Sequence, residues 1–291
     1  MAGLKVGDIV ARKSYGGDVF FKVVDIKNNG KENIVTLKGI TYRIEADAPE
    51  SDLVVQTDQK INEYNRKCFG AAEKKNRDLL LAKSRSRRKK NFFRDTSKED
   101  ARKFSRPGKV LHIDGDSDYL NTCLSQYKKF NITVDGLFVP ERQQPAEVYK
   151  LLQQYRPDIL VLTGHDGVIK GENSFLNIDN YRTSKYFIEA VKEARRYNRD
   201  LDGLVIFAGA CQSMYNDIIK AGANFASAPY RVLIHALDPV YICQKVAFTS
   251  INIILDPSEV INTTITGVEG IGGLQTRGKY RDGYPLEPYE I

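Results

Sequence analysis

Asp158–Ile159–Leu160–Val161–Leu162–Thr163–Gly164–His165–Asp166–Gly167 is an apolar run that ends in glycine and an imidazole. A second stretch repeats the design: Gly203–Leu204–Val205–Ile206–Phe207–Ala208–Gly209–Ala210–Cys211–Gln212–Ser213 ends in glycine and a thiol. Each apolar run has the length of a buried strand. Its β-branched residues and flanking glycines favour a parallel strand over a helix. Catalytic groups in open α/β sheets gather at the carboxyl ends of strands. Two such strands side by side would bring His165 and Cys211 together at one rim, with the thiol facing an open cleft.

That pairing has a chemical purpose. The thiolate is the nucleophile, but a cysteine at neutral pH is mostly thiol. A neighbouring imidazole can take the proton. A helix starting just after Cys211 would favour the thiolate further. Glycines allow close backbone approach, so amides near Gly167 and at Cys211 are candidate donors to an oxyanion. A lone cysteine is more often a small packing residue. Two strand-like runs, each ending beside glycine in a Cys or a His, favour a catalytic pair instead.

Working outward, the rhythm is strand–helix–strand. Val110–Asp114 reads as a strand, Ser117–Phe130 as a helix and Ile132–Val139 as a second strand. Pro145 suits the first turn of a helix running to Tyr155. Further helices are expected over Thr183–Asn198 and over Gln212–Ala221, the latter closed by Gly222. This alternation predicts a mostly parallel sheet with helices on both faces. Later, Arg231–Leu237 reads as a helix start and Ala247–Leu255 as another buried strand. The glycines of Val268–Gly273 do not sit between a strand and a clear helix, so a dinucleotide site is rejected. His112 and His235 read as core histidines, and Cys68, Cys123 and Cys243 as packing residues. Asp114 and Asp116 end the first strand, on the same sheet edge as His165 and Cys211. They serve either turn chemistry or a pocket for a basic side chain.

The N-terminal residues 1–57 carry five short strand-like runs separated by turn signals such as Gly16–Gly17 and Asn28–Asn29–Gly30, which suggests an SH3-like β-barrel. Tyr42–Arg43–Ile44 is read as part of one of its strands. Residues 58–106 form a basic, helical and then flexible linker. It holds 17 of the 44 Lys/Arg but only 7 of the 37 Asp/Glu, so the rest of the chain is slightly acidic. Its densest run, Lys83–Lys90, has no apolar face. It reads as a solvated linker, a phosphate-binding patch or a protease-sensitive hinge. Residues 107–291 would be the catalytic domain. No stretch is long and apolar enough for a membrane span, and no secretory signal opens the chain, so folding inside the cell is the default expectation. The four cysteines lack zinc-site spacing.

These motifs resemble the YabG sporulation peptidases of endospore-forming bacteria over the full length. More distantly, the C-terminal part is similar to the caspase, clostripain and gingipain peptidases, in which one strand ends in His-Gly and the next in Ala-Cys. Cys211 follows His165 by 46 residues, near the caspase interval of about 50. The resemblance implies a caspase-like α/β fold, with His165 as general base or acid and Cys211 as nucleophile. It implies cleavage after basic residues, arginine preferred, and Asp114 as the pocket carboxylate. Spore coat and cortex-associated proteins would be the substrates, and the enzyme would be coat-associated. No metal or organic cofactor is required. Two departures stand out. Asp166 separates His165 from Gly167, and Gly209–Ala210–Cys211–Gln212–Ser213 replaces the caspase Gln-Ala-Cys-Arg-Gly, so aspartate specificity does not carry over. Arg85, Arg87 and Arg88 match the implied preference and mark a region for self-cleavage. A nucleic-acid or coat-assembly binding protein is the alternative, with a thiol-dependent amidohydrolase on a flavodoxin-like sheet as the third.

Overall fold

The computed structural model describes residues 3–70, 74, 77, 104–169 and 175–285. The Lys83–Lys90 run, with Arg85, Arg87 and Arg88, lies outside the described residues. In chain order, β1 (Ile9–Arg12), β2 (Phe20–Asn28), β3 (Asn33–Gly39), β4 (Glu45–Pro49) and β5 (Leu53–Val55) form an antiparallel sheet in the order β4-β3-β2-β1-β5. Alternate residues such as Val10, Val23, Val35 and Leu37 bury one face as a small core. This is the period-two pattern of a half-buried sheet. Tyr42–Arg43–Ile44 is not a strand of that sheet. It lies in the connection from β3 to β4, and its only bridges run outward, Tyr42 to His235 and Ile44 to Asp166. Residues 58–70 form helix α1.

The second unit begins at β6 (Phe104–Arg106) and continues through β7 (Val110–Asp114), α2 (Ser117–Phe130), β8 (Val134–Phe138), α3 (Gln144–Tyr155), β9 (Ile159–Thr163), α4 (Ser184–Tyr197), β10 (Val205–Ala208), α5 (Tyr215–Lys220), β11 (Phe225–Ser227) and α6 (Asp238–Phe248). Then come β12 (Ile254–Leu255), α7 (Pro257–Ile261), β13 (Ile271–Gly273), β14 (Thr276–Arg277) and β15 (Arg281–Gly283). The main sheet has the order β13-β11-β10-β9-β7-β8. Its pairs are parallel from β8 to β11, with β13 antiparallel at the edge. Two small ribbons, β12 with β14 and β15 with β6, complete the described strands.

Alternation along each strand divides the core. Ile159 and Val161 face one side with Val205 and Phe207, against Tyr127 of α2 and Tyr241 of α6. Leu160 and Leu162 face the other with Ile206 and Ala208, against Leu152 of α3 and Phe187 of α4. Strands buried on both faces explain the continuous apolar runs in the sequence. Each buried aliphatic side chain contributes about 1.5–3 kcal/mol.

Three expectations are corrected. The helix after Cys211 starts only at Tyr215 and spans six residues, so its dipole does not begin at the thiol. Pro239 sits in the first turn of α6, so the helix begins at Asp238 and not within Arg231–Leu237. Ala247–Leu255 is not a buried strand but the end of α6, a turn and β12, because Asn252 and Ser250 form a local turn instead of a ladder. Among the described residues no helix is long and apolar enough to cross a membrane.

Candidate active site

The sheet order reverses between β7 and β9, since β8 lies on one side of β7 and β9 on the other. Crevices at such switch points, beyond the carboxyl ends of strands, are where α/β sheets bind ligands. Asp114 ends β7 there. The pair Leu162↔Ala208 is the last of the β9–β10 ladder. His165 and Cys211 each follow it by three residues, and the Gly209 amide still donates to the Leu162 carbonyl at 3.0 Å. The backbone must turn sharply at both places. Gly209 has φ +109, and a Cβ there would lie 2.4 Å from Ser227 Oγ. At Gly164 a Cβ would lie 2.2 Å from Glu141 Oε1.

One atom ties the two strand ends together. The carbonyl oxygen of Arg43 accepts the amides of Cys211 at 3.1 Å and of Asp166 at 3.4 Å. Two backbone donors converging on one oxygen is the arrangement an oxyanion requires. Sequence reasoning named Gly167 and Cys211 for this role. The Gly167 amide donates to Asp166 Oδ1 at 2.8 Å, and the amide that meets the Arg43 carbonyl beside that of Cys211 is that of Asp166. The Asp166 carboxylate is itself a hub. It accepts from the Thr183 amide (3.0 Å), Ser184 Oγ (2.5 Å) and Ser213 Oγ (2.9 Å). It thereby fixes the turn after His165 to the start of α4 and to the turn after Cys211.

The Arg43 side chain fills the pocket beside these amides and is fully buried. Its Nη1 donates to Asp114 Oδ2 at 2.8 Å, and its Nη2 to the Ala236 carbonyl at 3.1 Å. The guanidinium lies 5.0 Å from the centroid of the Tyr119 ring. Burial would raise the Asp114 carboxyl, but the Arg43 charge and a hydrogen bond from His112 hold it well below the usual range. Asp114 Oδ2 also accepts from Thr163 Oγ1 at 3.0 Å, and Asp114 Oδ1 from the Asp116 amide at 3.0 Å.

His165 and Cys211 are both sealed from solvent, so the thiol does not face an open cleft as expected. Ile234 and Tyr119 of the same unit enclose them, and Tyr42 and Ile44 pack against the core cluster that holds Cys211. Among the described residues neither ring nitrogen of His165 has a hydrogen-bond partner. Its Nε2 stands 3.8 Å from Asp116 Oδ2, and its ring stacks on Tyr119 at 5.0 Å. The Cys211 sulfur accepts the Ile234 amide at 3.0 Å. Burial pushes the thiol up and, with the Lys38 charge, the imidazole down, so both are neutral in this state. His112 sits between Tyr127 (3.2 Å) and Thr163 (2.8 Å), and His235 Nδ1 accepts the Leu237 amide. Cys123 and Cys243 are buried, Cys68 is partly so, and all four thiols are free. Among the described residues no cluster of three or more His, Cys, Asp or Glu is arranged to hold a metal ion.

The buried imidazoles predict acid sensitivity. Burial lowers His112, His165 and His235, the last to about 4. The unfolded chain therefore binds more protons than the folded one below about pH 6.5, and stability falls as pH falls. Three imidazoles give as much as about 4 kcal/mol per pH unit at 1.36 kcal/mol each. Glu141, Asp166 and Asp238, whose carboxyls burial raises, oppose this and make that figure an upper value. The urea midpoint should drop between pH 7.5 and 5.5; a midpoint flat across that range contradicts the burial of neutral imidazoles.

Arg43, Tyr119, Asp166 and the Ile234–Ala236 backbone were not singled out from sequence as parts of a site. Asp166 stood beside His165, but only as an interruption. Nothing local marks Arg43, whose partner Asp114 lies 71 residues away.

Comparison with known proteins completes the observations. The family model described as YabG peptidase U57 matches residues 5–285. The sporulation-specific protease YabG of Bacillus subtilis (strain 168) is 44% identical over 287 residues, covering 97% of this chain and 98% of that protein.

Proposed function

The chain belongs to the YabG peptidase U57 family, and on that premise we propose that it is a cysteine endopeptidase that cuts after basic residues, arginine preferred. The observation that carries this reading is the Arg43 carbonyl held by the Cys211 and Asp166 amides while its guanidinium meets Asp114. An arginine before the scissile bond would be bound in the same way. Cys211 attacks the carbonyl carbon as its thiol proton passes to His165. The oxyanion is held by the two amides. His165 then gives the proton to the leaving amine, leaving an acyl-enzyme thioester. Water, losing a proton to His165, attacks the thioester and releases the new carboxylate and the Cys211 thiol.

In this reading residues 107–291 are a caspase-like catalytic domain, residues 1–57 an SH3-like barrel and residues 58–106 a basic linker. The linker is self-cleaved around Arg85, Arg87 and Arg88. Substrates are spore coat and cortex-associated proteins, and the enzyme accompanies the coat. The family name of the relative supports a role in sporulation. It does not favour the nucleic-acid or assembly-binding alternative.

The test is a panel of fluorogenic peptides with Arg, Lys, Asp or Ala before the reporter. Arginyl peptides should be cut fastest, lysyl peptides more slowly and aspartyl ones not at all, and a thiol alkylator should abolish every rate. Equal rates across the panel, or a rate indifferent to alkylation, would refute the proposal.

A further inference from the structure

The connection from β3 to β4 spans Ile40–Ile44, although an antiparallel pair can be joined by two residues. Its course follows the register of a bound peptide. The Thr41 carbonyl accepts the Ala236 amide at 2.9 Å, and the Arg43 amide donates to the Ile234 carbonyl at 3.0 Å. Past Arg43 the pairing passes to the other wall, where the Glu45 amide donates to the Asp166 carbonyl at 3.3 Å. This is strand addition to an exposed backbone edge, with one side chain in a pocket setting specificity. The β sheet has no need of a buried arginine. Burying a guanidinium is costly, and an apolar residue of similar volume would serve packing as well or better.

We infer that Thr41–Glu45 is a tethered substrate mimic, which holds the active site closed until the N-terminal unit withdraws. The inference deepens the peptidase reading and depends on it. Three observations make the segment an inhibitor in this state and not a substrate about to be cut. Water has no access to Cys211 or His165. Among the described residues His165 hydrogen-bonds neither the thiol nor any other group, whereas a working base must reach its proton at about 2.6–3.2 Å. The Ile44 amide, which would have to accept the leaving-group proton, is engaged with the Tyr42 carbonyl at 2.8 Å.

The tether makes the block effective. A segment joined through a short connection competes at an effective concentration of about millimolar or more. Polar latches hold it in place. Arg182 pairs with Glu45 at 3.1 Å and also with Asp47. Tyr119 donates to the Tyr42 carbonyl at 2.6 Å, and Lys22 pairs with Asp118 at 2.9 Å. Arg182 touches neither the thiol nor the pocket carboxylate among its described contacts, so it offers a way to loosen the segment without altering the cleft.

The experiment uses the full chain and a small arginyl amide with a fluorescent leaving group, reading initial rates before any self-cleavage appears on a gel. Arg43→Ala should raise the initial rate at least tenfold over wild type and remove any lag. Arg182→Ala should raise it several-fold. If Arg43→Ala does not fold, the Arg182→Ala chain stands in its place. A synthetic peptide of residues 40–46 provides a third measurement. It should inhibit the Arg182→Ala enzyme, and the same peptide with alanine at position 43 should not. Folded variants whose rates stay within twofold of an active wild type would overturn the inference and leave the peptidase reading intact. If no form of the chain cleaves arginyl peptides, both fall together.

Discussion

Cys211→Ala should lower hydrolysis of arginyl peptides at least about 10⁴-fold, since removing a nucleophile leaves only binding and oxyanion stabilisation. His165→Ala should cost about 10²–10⁴-fold, the usual worth of a positioned acid–base group. On the proposed mechanism the effect is large because no other thiol and imidazole among the described residues could replace the pair. The other two buried thiols are enclosed by Tyr127, Arg43 and Ala236, and His112 and His235 are held by core partners. Denaturation separates this role from packing. Truncating a buried sulfur costs about 1–2 kcal/mol of stability at most sites, within the ordinary range of point substitutions. A Cys211→Ala chain that melts near wild type but is inactive fits a nucleophile. One that keeps more than a tenth of wild-type kcat/KM makes Cys211 a packing residue.

The buried state of that thiol counts against it as a nucleophile only if the site never opens. Cys211 packs within the core of its own sheet, with its sulfur against the Ile234 backbone, and Tyr42 and Ile44 of the N-terminal unit pack against the same cluster. Once the segment holding Tyr42 and Ile44 leaves, hydration reverses the burial that raises the thiol and lowers the imidazole. On the proposed mechanism, the neutral thiol and imidazole belong to the closed state alone.

The sequence revealed the parts whose information is local. The runs ending at Thr163 and Ala208 were legible as parallel strands because both faces are apolar and glycine follows each. Asp114 was legible as the end of a strand on the same sheet edge. The family motif around His165 and Cys211 marked the two turns whose amides meet on the Arg43 carbonyl. What failed was long-range or depended on a single geometric detail. Tyr42–Arg43–Ile44 has the composition of a strand, and only a bridge to Asp166 and His235 in the other unit shows that its partners lie elsewhere. Glycine was expected to mark the close backbone approach, yet the amide that joins Cys211 on the Arg43 carbonyl is that of Asp166, whose side chain turns into a buried set of hydroxyls and amides. Six residues of α5 gave too little periodicity to fix its start.

Asp114→Asn should abolish most of the preference for arginine. The measurement is the ratio of kcat/KM for an arginyl peptide to that for its citrullyl counterpart, which has nearly the same shape but no charge. With the carboxylate present, a buried charge pair at 2.8 Å favours arginine, and breaking such a pair costs about 3–5 kcal/mol. The ratio should therefore be about 10²–10⁴ in wild type and fall towards unity in the variant. The ratio is needed because Asp114 also has structural bonds. It accepts from Thr163 and the Asp116 amide and lies 3.3 Å from His112 Nε2. If its role were only to hold the end of β7, both peptides would lose rate by the same factor and the ratio would stay. The same substitution leaves the Arg43 guanidinium buried without a countercharge, which raises the free energy of the closed state. If one carboxylate serves both the external arginine and the tethered one, latency and specificity decline together in this variant.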